Sequence, residues 1–415
     1  MMHSFLPDSA TDRAPKAVFR RGPEPTRHLG AAAVAMGASG MVAVVGAFAL
    51  LLHTLAQESP RLGPVYSGWP EAATESWLPA LRWFLSDMTE PLFFASELAA
   101  LGLLSGAALA WRAGGRGRSW PGSLSYGTGL WPWVLASASL SLLISNLAFG
   151  WMLDDGWQPT FVPFVCVAPA MVLMYGGGWR TCVTGAVLGA VTTTPLALLF
   201  IPAVSVPLGL PVVVANVLAM SVACMVSFLL ARQLPWLALR VADPPAQRRV
   251  PPSSVHRKFR GDAGWAVRRV LKDFTETHFF ANELAGAGVI LAVGVAYVLN
   301  PGLPSYGSEL VPHILFAQAL TSGIGVVLWR RWYRDGGWAA TYASVVSVAP
   351  AAVLAYGGSW SAMVGGAVLG AVLAPPIARL VSARLPAGFH PVIGNTAAMA
   401  VSTAVALPLL GLLPH

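Results

Sequence analysis

Glu97 and Glu283 each stand about six residues into a long apolar stretch, roughly 9 Å along a helix rising 1.5 Å per residue. A charged side chain at bilayer depth costs roughly 2.5–3.5 kcal/mol on insertion scales, so it faces a protein interior or a wet cavity and carries protons or cations. If the two helices cross in opposite directions, the carboxylates lie on opposite sides of the midplane and flank a path. Ser96 and Asn282, each one place ahead of its glutamate, belong to the same candidate path. The alternative reading is neutral or backbone-paired carboxyls that lock helices together.

Asn216 and Asn395 fall about five and four residues after Pro211 and Pro391, again at hydrocarbon depth, where an amide bonds either a solute or a neighbouring helix. The segments 159–175 and 339–356 are short, carry Pro163, Pro169 and Pro350, and end in Tyr175-Gly176-Gly177 and Tyr356-Gly357-Gly358. Short, Gly/Pro-interrupted segments at matching places point to a transporter site, because freed backbone groups then line a cavity. A tight turn between two helices is the other reading of the same glycines.

The elements that must position these residues follow from composition. Of 415 residues, 55% are apolar and 11% charged, with a mean hydropathy of +0.63. Soluble domains carry about 25% charged residues, so a water-facing surface cannot be built from this chain and it reads as an all-α, polytopic membrane protein. Apolar runs predict eleven spans, near 31–54, 91–111, 131–152, 159–175, 181–201, 211–231, 279–299, 309–329, 339–356, 361–379 and 391–412. With the N-terminus in the cytoplasm, eleven crossings put 24 Lys and Arg inside and only Arg61 and Arg82 outside, as the positive-inside rule requires. The expected location is the cell membrane, multi-pass, with the C-terminus extracytoplasmic. The net charge of +8 is thereby explained by orientation toward anionic lipid headgroups, with no need of nucleic acid.

The chain also repeats itself. Thr89-Glu90 through Phe93-Phe94 to Glu97-Leu98-Ala99 recurs as Thr275-Glu276 through Phe279-Phe280 to Glu283-Leu284-Ala285. Pro121-Gly122, Ser125-Tyr126-Gly127 recurs as Pro301-Gly302, Ser305-Tyr306-Gly307. Val167-Ala168-Pro169-Ala170, Gly185 with Gly189, and Asn216 with Met220 recur as Val348-Ala349-Pro350-Ala351, Gly366 with Gly370, and Asn395 with Met399. An odd number of spans per repeat inverts the second copy in the membrane. The Gly-x-x-x-Gly pairs fit close helix packing.

The expected organisation is a disordered basic cytoplasmic tail (1–30), an uncleaved anchor helix (31–54), a first repeat (76–231), a basic cytoplasmic linker (232–263) and a second repeat (264–412). Short interfacial helices over 76–88 and 264–274 open the two repeats. Asp154, Asp155 and Asp335 read as interfacial caps, and Trp157 and Trp338 as belt aromatics.

Cys166, Cys182 and Cys224 lie in apolar blocks without metal-ligand spacing, and no cofactor or metal site is expected. Glu276, His278, His313 and His390 are the only cast for intramembrane hydrolysis, and the histidines have no counterparts in the other repeat. They read as interfacial, and no enzyme is expected. The partners expected are membrane lipids and a small polar or ionic solute, with a second copy of the chain or a cytoplasmic protein beside them. A secondary transporter or facilitative channel fits best. A non-transporting scaffold or partner subunit acting through the basic loop is the alternative.

Pro375-Pro376-Ile377-Ala378, followed by Gly388-Phe389-His390-Pro391-Val392-Ile393-Gly394-Asn395-Thr396-Ala397-Ala398-Met399, resembles the second half of an uncharacterised tandem-repeat family of prokaryotic integral membrane proteins. The Phe-Phe-x-x-Glu-Leu-Ala openings resemble that family's Phe-Asn-Ala-x-Leu openings, with Ala95 and Ala281 where it has Asn. The resemblance spans about residues 85–410 and implies a fold without a known activity. In layout alone, five-plus-five inverted repeats with interfacial pre-helices are similar to urea transporters.

Overall fold

The computed structural model describes residues 30–118, 120, 122–240 and 255–414, with backbone alone at 255–259 and 334–336. The basic tail, Pro121, residues 241–254 of the linker and the Asp335 side chain lie outside that description. Among the described residues every regular element is helical. The first half runs α1 (Ala31–Ala56), α2 (Trp69–Glu75), α3 (Trp77–Asp87), α4 (Glu97–Gly115), α5 (Trp131–Phe149), α6 (Val167–Tyr175), α7 (Trp179–Phe200) and α8 (Val212–Ala231). The second runs α9 (Val255–Glu276), α10 (Glu283–Leu299), α11 (Val311–Leu328), α12 (Tyr342–Val345), α13 (Val348–Tyr356), α14 (Gly366–Ser382) and α15 (Val392–Leu410).

Eight helical segments are long and apolar enough to cross a membrane: those built on α1, α4, α5, α7, α8, α11, α14 and α15. The other three expected positions hold shorter apolar helices, over Val162–Tyr175, Glu283–Leu299 and Tyr342–Tyr356. Large apolar side chains such as Leu147, Val191 and Leu291 point outward, as a lipid-facing surface requires. The interhelical core is knit by small polar groups. Ser141 donates to the Ala186 carbonyl and Thr321 to the Ala367 carbonyl, each at 2.8 Å.

α4 and α10 begin later than hydropathy alone suggests, at residues 97 and 283 rather than 91 and 279, and for the same reason. Phe93 and Ala95 adopt φ of 64° and 42°, and Phe279 and Ala281 adopt 62° and 47°. Left-handed backbone at residues other than glycine cannot continue a helix and costs on the order of 1–3 kcal/mol per residue. The surroundings hold it in place. Thr89 Oγ1 accepts from the Ser96 N–H at 3.1 Å and donates to the Ser96 carbonyl at 3.0 Å, and Thr275 makes the same two bonds to Asn282, both at 3.0 Å. Ser125 N–H donates to the Phe280 carbonyl at 2.9 Å, and Ser305 N–H to the Phe94 carbonyl at 2.6 Å. Each turn is therefore clamped by the other half of the chain.

α4 packs on α10 through bare backbone. A Cβ on Gly102 would overlap the Gly288 carbonyl, and one on Gly288 would overlap that of Gly102. Gly106 meets Leu284 and Ala285 the same way. The Gly-x-x-x-Gly pairs also serve packing: Gly185 and Gly189 face Ala168 and Ser141, while Gly366 and Gly370 face Ala352 and Ser344. The expected helix at 76–88 is α3. The one expected at 264–274 is the end of the longer α9, whose neighbour α1 is tied to it by Gly30 N–H donating to Asp262 Oδ2 at 3.0 Å.

Candidate functional site

Glu97 and Glu283 are the first residues of α4 and α10, not residues deep within them. Ser96 caps α4, accepting from the Ala99 N–H at 3.3 Å, and Asn282 caps α10, accepting from Leu284 and Ala285 at 3.0 and 3.1 Å. Caps satisfy amides that the first helical turn leaves bare, which accounts for both polar side chains. Each glutamate has a cationic neighbour. Arg82 Nη2 lies 2.6 Å from Glu97 Oε1, and Arg268 and Lys272 lie 3.8 Å from the Glu283 carboxylate. Arg82 and Arg268 are offset by the same 186 positions as the glutamates, a recurrence the sequence reading passed over.

The helix breaks sit elsewhere than the Tyr-Gly-Gly turns. Cys166 and Ser347 leave helical geometry with almost the same backbone angles, φ −138° and −145° with ψ −92° and −91°. Pro169 and Pro350 follow three residues later in each case, and a proline has no N–H with which to continue the ladder. The freed Val345 carbonyl accepts from Gln318 Nε2 at 2.9 Å, which also bonds the Leu92 carbonyl at 2.9 Å. Tyr175-Gly176 and Tyr356-Gly357 are tight turns with φ of 91° and 71° at the glycines. Tyr175 stacks on Phe228, and the Tyr356 hydroxyl donates to the Leu407 carbonyl at 2.7 Å.

A cavity of about 230 Å³ lies between the halves, lined by Glu90, Trp157, Asn216, Tyr306, Tyr342 and Thr396 among others. Among the described residues Glu90 is its one carboxylate, and no Lys or Arg lines it. Asn216 is 4% exposed and its Oδ1 has no donor. Asn395 reaches the cavity through Tyr342, whose hydroxyl accepts from Asn395 Nδ2 at 3.0 Å. Glu97, Glu283, Ser96, Asn282, Tyr175 and Tyr356 do not line it.

Glu90 belongs to a buried acid pair that the sequence reading missed. Asp87-Met88-Thr89-Glu90 recurs as Asp273-Phe274-Thr275-Glu276, and all four carboxyls are at most 2% exposed. In the second half, Arg269 Nη2 donates to Asp273 Oδ1 at 2.5 Å and also to Glu276 Oε2. Ser322 and Thr341 complete Asp273 at 2.6 and 3.0 Å, and Trp338 Nε1 donates to Glu276 at 3.0 Å. In the first half, Asn146 and Thr160 donate to Asp87 Oδ2 at 3.0 and 2.8 Å, and Trp157 Nε1 donates to Glu90 Oε1. Trp157 and Trp338 therefore turn inward onto carboxyls instead of forming an aromatic belt.

Among the described residues no cation answers the first pair. Where α9 has Arg269, α3 has Trp83, whose Nε1 donates to Thr160 at 3.2 Å. Asp87 Oδ1 has no donor, and Glu90, which lies against it and against the Tyr306 hydroxyl, can supply one only when protonated. Both residues lie outside the spanning segments. Burial, then the neighbouring Asp87 charge, holds the Glu90 carboxyl well above the usual range. Burial pushes Asp87 up to about 7, against the lowering effect of its Asn146 and Thr160 hydrogen bonds. Asp273 rises less, to about 6, because Arg269 opposes its burial.

His278 and His390 are interior groups, not interfacial ones, while His313, at the start of α11, is only half-buried. His278 and His390 are 1% and 2% exposed; His278 Nε2 lies 2.8 Å from the Met88 carbonyl, and burial pushes its ring down to about 4, which keeps it neutral. Among the described residues, no group of three or more His, Cys, Asp or Glu could hold a metal ion. A scan against protein-family models and a search of curated proteins found no match to this chain.

Proposed function

We propose that the chain is a transport protein of the cell membrane, with eleven crossings arranged as an anchor helix and two inverted five-helix repeats, and that a small polar or ionic solute passes through the cavity between them. The cavity is the observation that carries this reading: both halves wall it, and it holds one carboxylate and one unpaired amide. Solutes pass secondary transporters at the midplane between repeats, beside broken helices. Phe161 and Val165 from the first break, and Tyr342 and Val346 from the second, stand on its wall.

A twofold relation between the repeats is supported by reciprocity, and five crossings in each repeat would lay its axis in the membrane plane. Gly102 and Gly288, equivalent by the 186-residue offset, press on one another, and the Ser125–Phe280 and Ser305–Phe94 hydrogen bonds are each other's counterpart. A near-twofold axis maps each such contact onto its partner. The three shorter helices complete the eleven crossings; α10, at 17 residues, is about 25 Å long and suits a packed interior position.

Flux through proteoliposomes tests the route. Glu90→Gln is expected to cut uptake at least tenfold in protein that still runs as a single species on size exclusion. Undiminished uptake in Glu90→Gln, together with loss in a Glu97→Gln, Glu283→Gln protein, would move the path away from this cavity.

A further inference from the structure

We propose that the cavity at Glu90 binds a small organic ammonium ion and gives up in exchange the proton held between Asp87 and Glu90. The inference rests on the transport reading only in taking the cavity as a binding site; the exchange can be measured without any membrane.

Four observations converge on a cation with N–H groups. Among the described residues Glu90 is the only ionisable carboxyl on the wall, and no basic side chain there would repel a cation. The Asn216 Oδ1, nine-tenths buried, is an acceptor without a donor. A bound ammonium would supply one, and charge-assisted hydrogen bonds are the stronger kind. Phe93, Trp157, Phe161, Tyr306 and Tyr342 supply aromatic faces, which attract a desolvated cation through their quadrupoles. Finally, Asp87 Oδ1 needs a proton from Glu90 when the cavity holds no cation.

Charge conservation explains why exchange suits the site. With one proton between them the two carboxyls carry one negative charge; with the proton released and a monovalent cation bound, the net charge is the same. The buried region then never gains an uncompensated charge, whose desolvation would cost several kcal/mol. The groups facing the pair leave it free to do this. Tyr66 and Tyr306 contribute phenols, which burial and the carboxyls hold protonated. Asn146, Trp157 and Thr160 are uncharged donors, while Arg82 is engaged by Glu97. From the far wall come Asn216, Thr277 and Thr396, none of them charged. The second pair cannot exchange in this way, since Arg269 already occupies the cation's place.

The test uses the purified full-length chain in detergent, with butylammonium as the probe and butanol as its neutral counterpart. Alkylammonium ions stay charged between pH 6 and 8, like lysine. Titration at pH 8, above the Asp87 value of about 7 so that the pair holds one proton, in two buffers of different ionisation enthalpy should show nearly one proton released per butylammonium bound. Above about pH 7 affinity should weaken about tenfold per unit fall in pH as the pair takes up its one proton, and butanol should bind at least thirtyfold more weakly. Glu90→Gln should abolish proton release. The unmodified protein suffices to overturn the proposal: binding without proton release, pH-independent affinity, equal butanol affinity or no binding would each do so. Butylammonium exchange without proteoliposome flux would leave the site standing and remove the transport reading. Flux of another solute without ammonium binding would do the reverse.

Discussion

Trp83 and Arg269 stand at matching positions, each four residues ahead of a buried aspartate, and one leaves its acid pair without a cation while the other neutralises it. Arg269 is itself buried, and its guanidinium lies 5.4 Å from the centre of the Tyr333 ring. The two halves thus build the same Asp-x-Thr-Glu turn and differ in the charge placed beside it.

Removing Arg269 should therefore be far more damaging than an ordinary core substitution. Arg269→Met is expected to cost about 3–5 kcal/mol, because it strands two buried carboxylates. Adding Asp273→Asn and Glu276→Gln should recover more than half of that loss. Thermal unfolding in detergent, compared across the single and triple variants, measures both effects; additive losses would contradict the pairing.

The first pair sets a direction for stability against pH. Its folded titration lies above the unfolded carboxylate value, with Asp87 at about 7, so the folded state holds more protons between about pH 4 and pH 7. Its contribution is fully present below the unfolded value and is lost as pH rises through the folded one. The slope is at most about 1.4 kcal/mol per pH unit for each proton. An Asp87→Asn, Glu90→Gln protein should lose that slope relative to the unmodified chain, as read from unfolding midpoints between pH 4.5 and 8. An identical slope in both proteins would refute it.

The α4–α10 contact leaves no room for a side chain. Gly102→Val and Gly288→Val should each force the helices apart at a cost of about 3 kcal/mol or more, seen as loss of monodisperse protein. Gly114, near the end of α4 with open space around it, is the control: Gly114→Ala should change stability by less than about 0.5 kcal/mol. Equal effects at Gly102 and Gly114 would exclude close backbone packing.

Inversion of the repeats predicts opposite accessibility at corresponding loops. Ser125 and Ser305 are themselves buried, so the exposed neighbours Ser123 and Glu309 are the better probes. Ser123→Cys should react with an impermeant maleimide only from the cytoplasmic face and Glu309→Cys only from outside. Cys166, Cys182 and Cys224 are buried and give little background. Labelling of both from one face would end the inverted arrangement.

The sequence by itself determined the membrane class and the positions of the apolar helices, because lipid demands long apolar runs with internally satisfied backbone. It also located the recurring segments and the proline-interrupted pair at 159–175 and 339–356. What it could not place was the chemistry. Hydropathy averages over a window, so it ran the span at 91–111 straight through Phe93 and Ala95, whose left-handed backbone is imposed by contacts some two hundred residues away. Glu97 and Glu283 consequently looked like isolated intramembrane charges, whereas they open their helices beside Arg82, Arg268 and Lys272. Asp87, Glu90, Asp273 and Glu276 were legible only as a repeated Asp-x-Thr-Glu at the ends of amphipathic stretches, where acidic residues are ordinarily solvated. Folding decided otherwise: Trp157, Thr160, Trp338 and Thr341 arrive from distant loops to donate to those carboxyls. Whether an acid is solvated or buried depends on such nonlocal donors, and no pattern along the chain encodes their arrival.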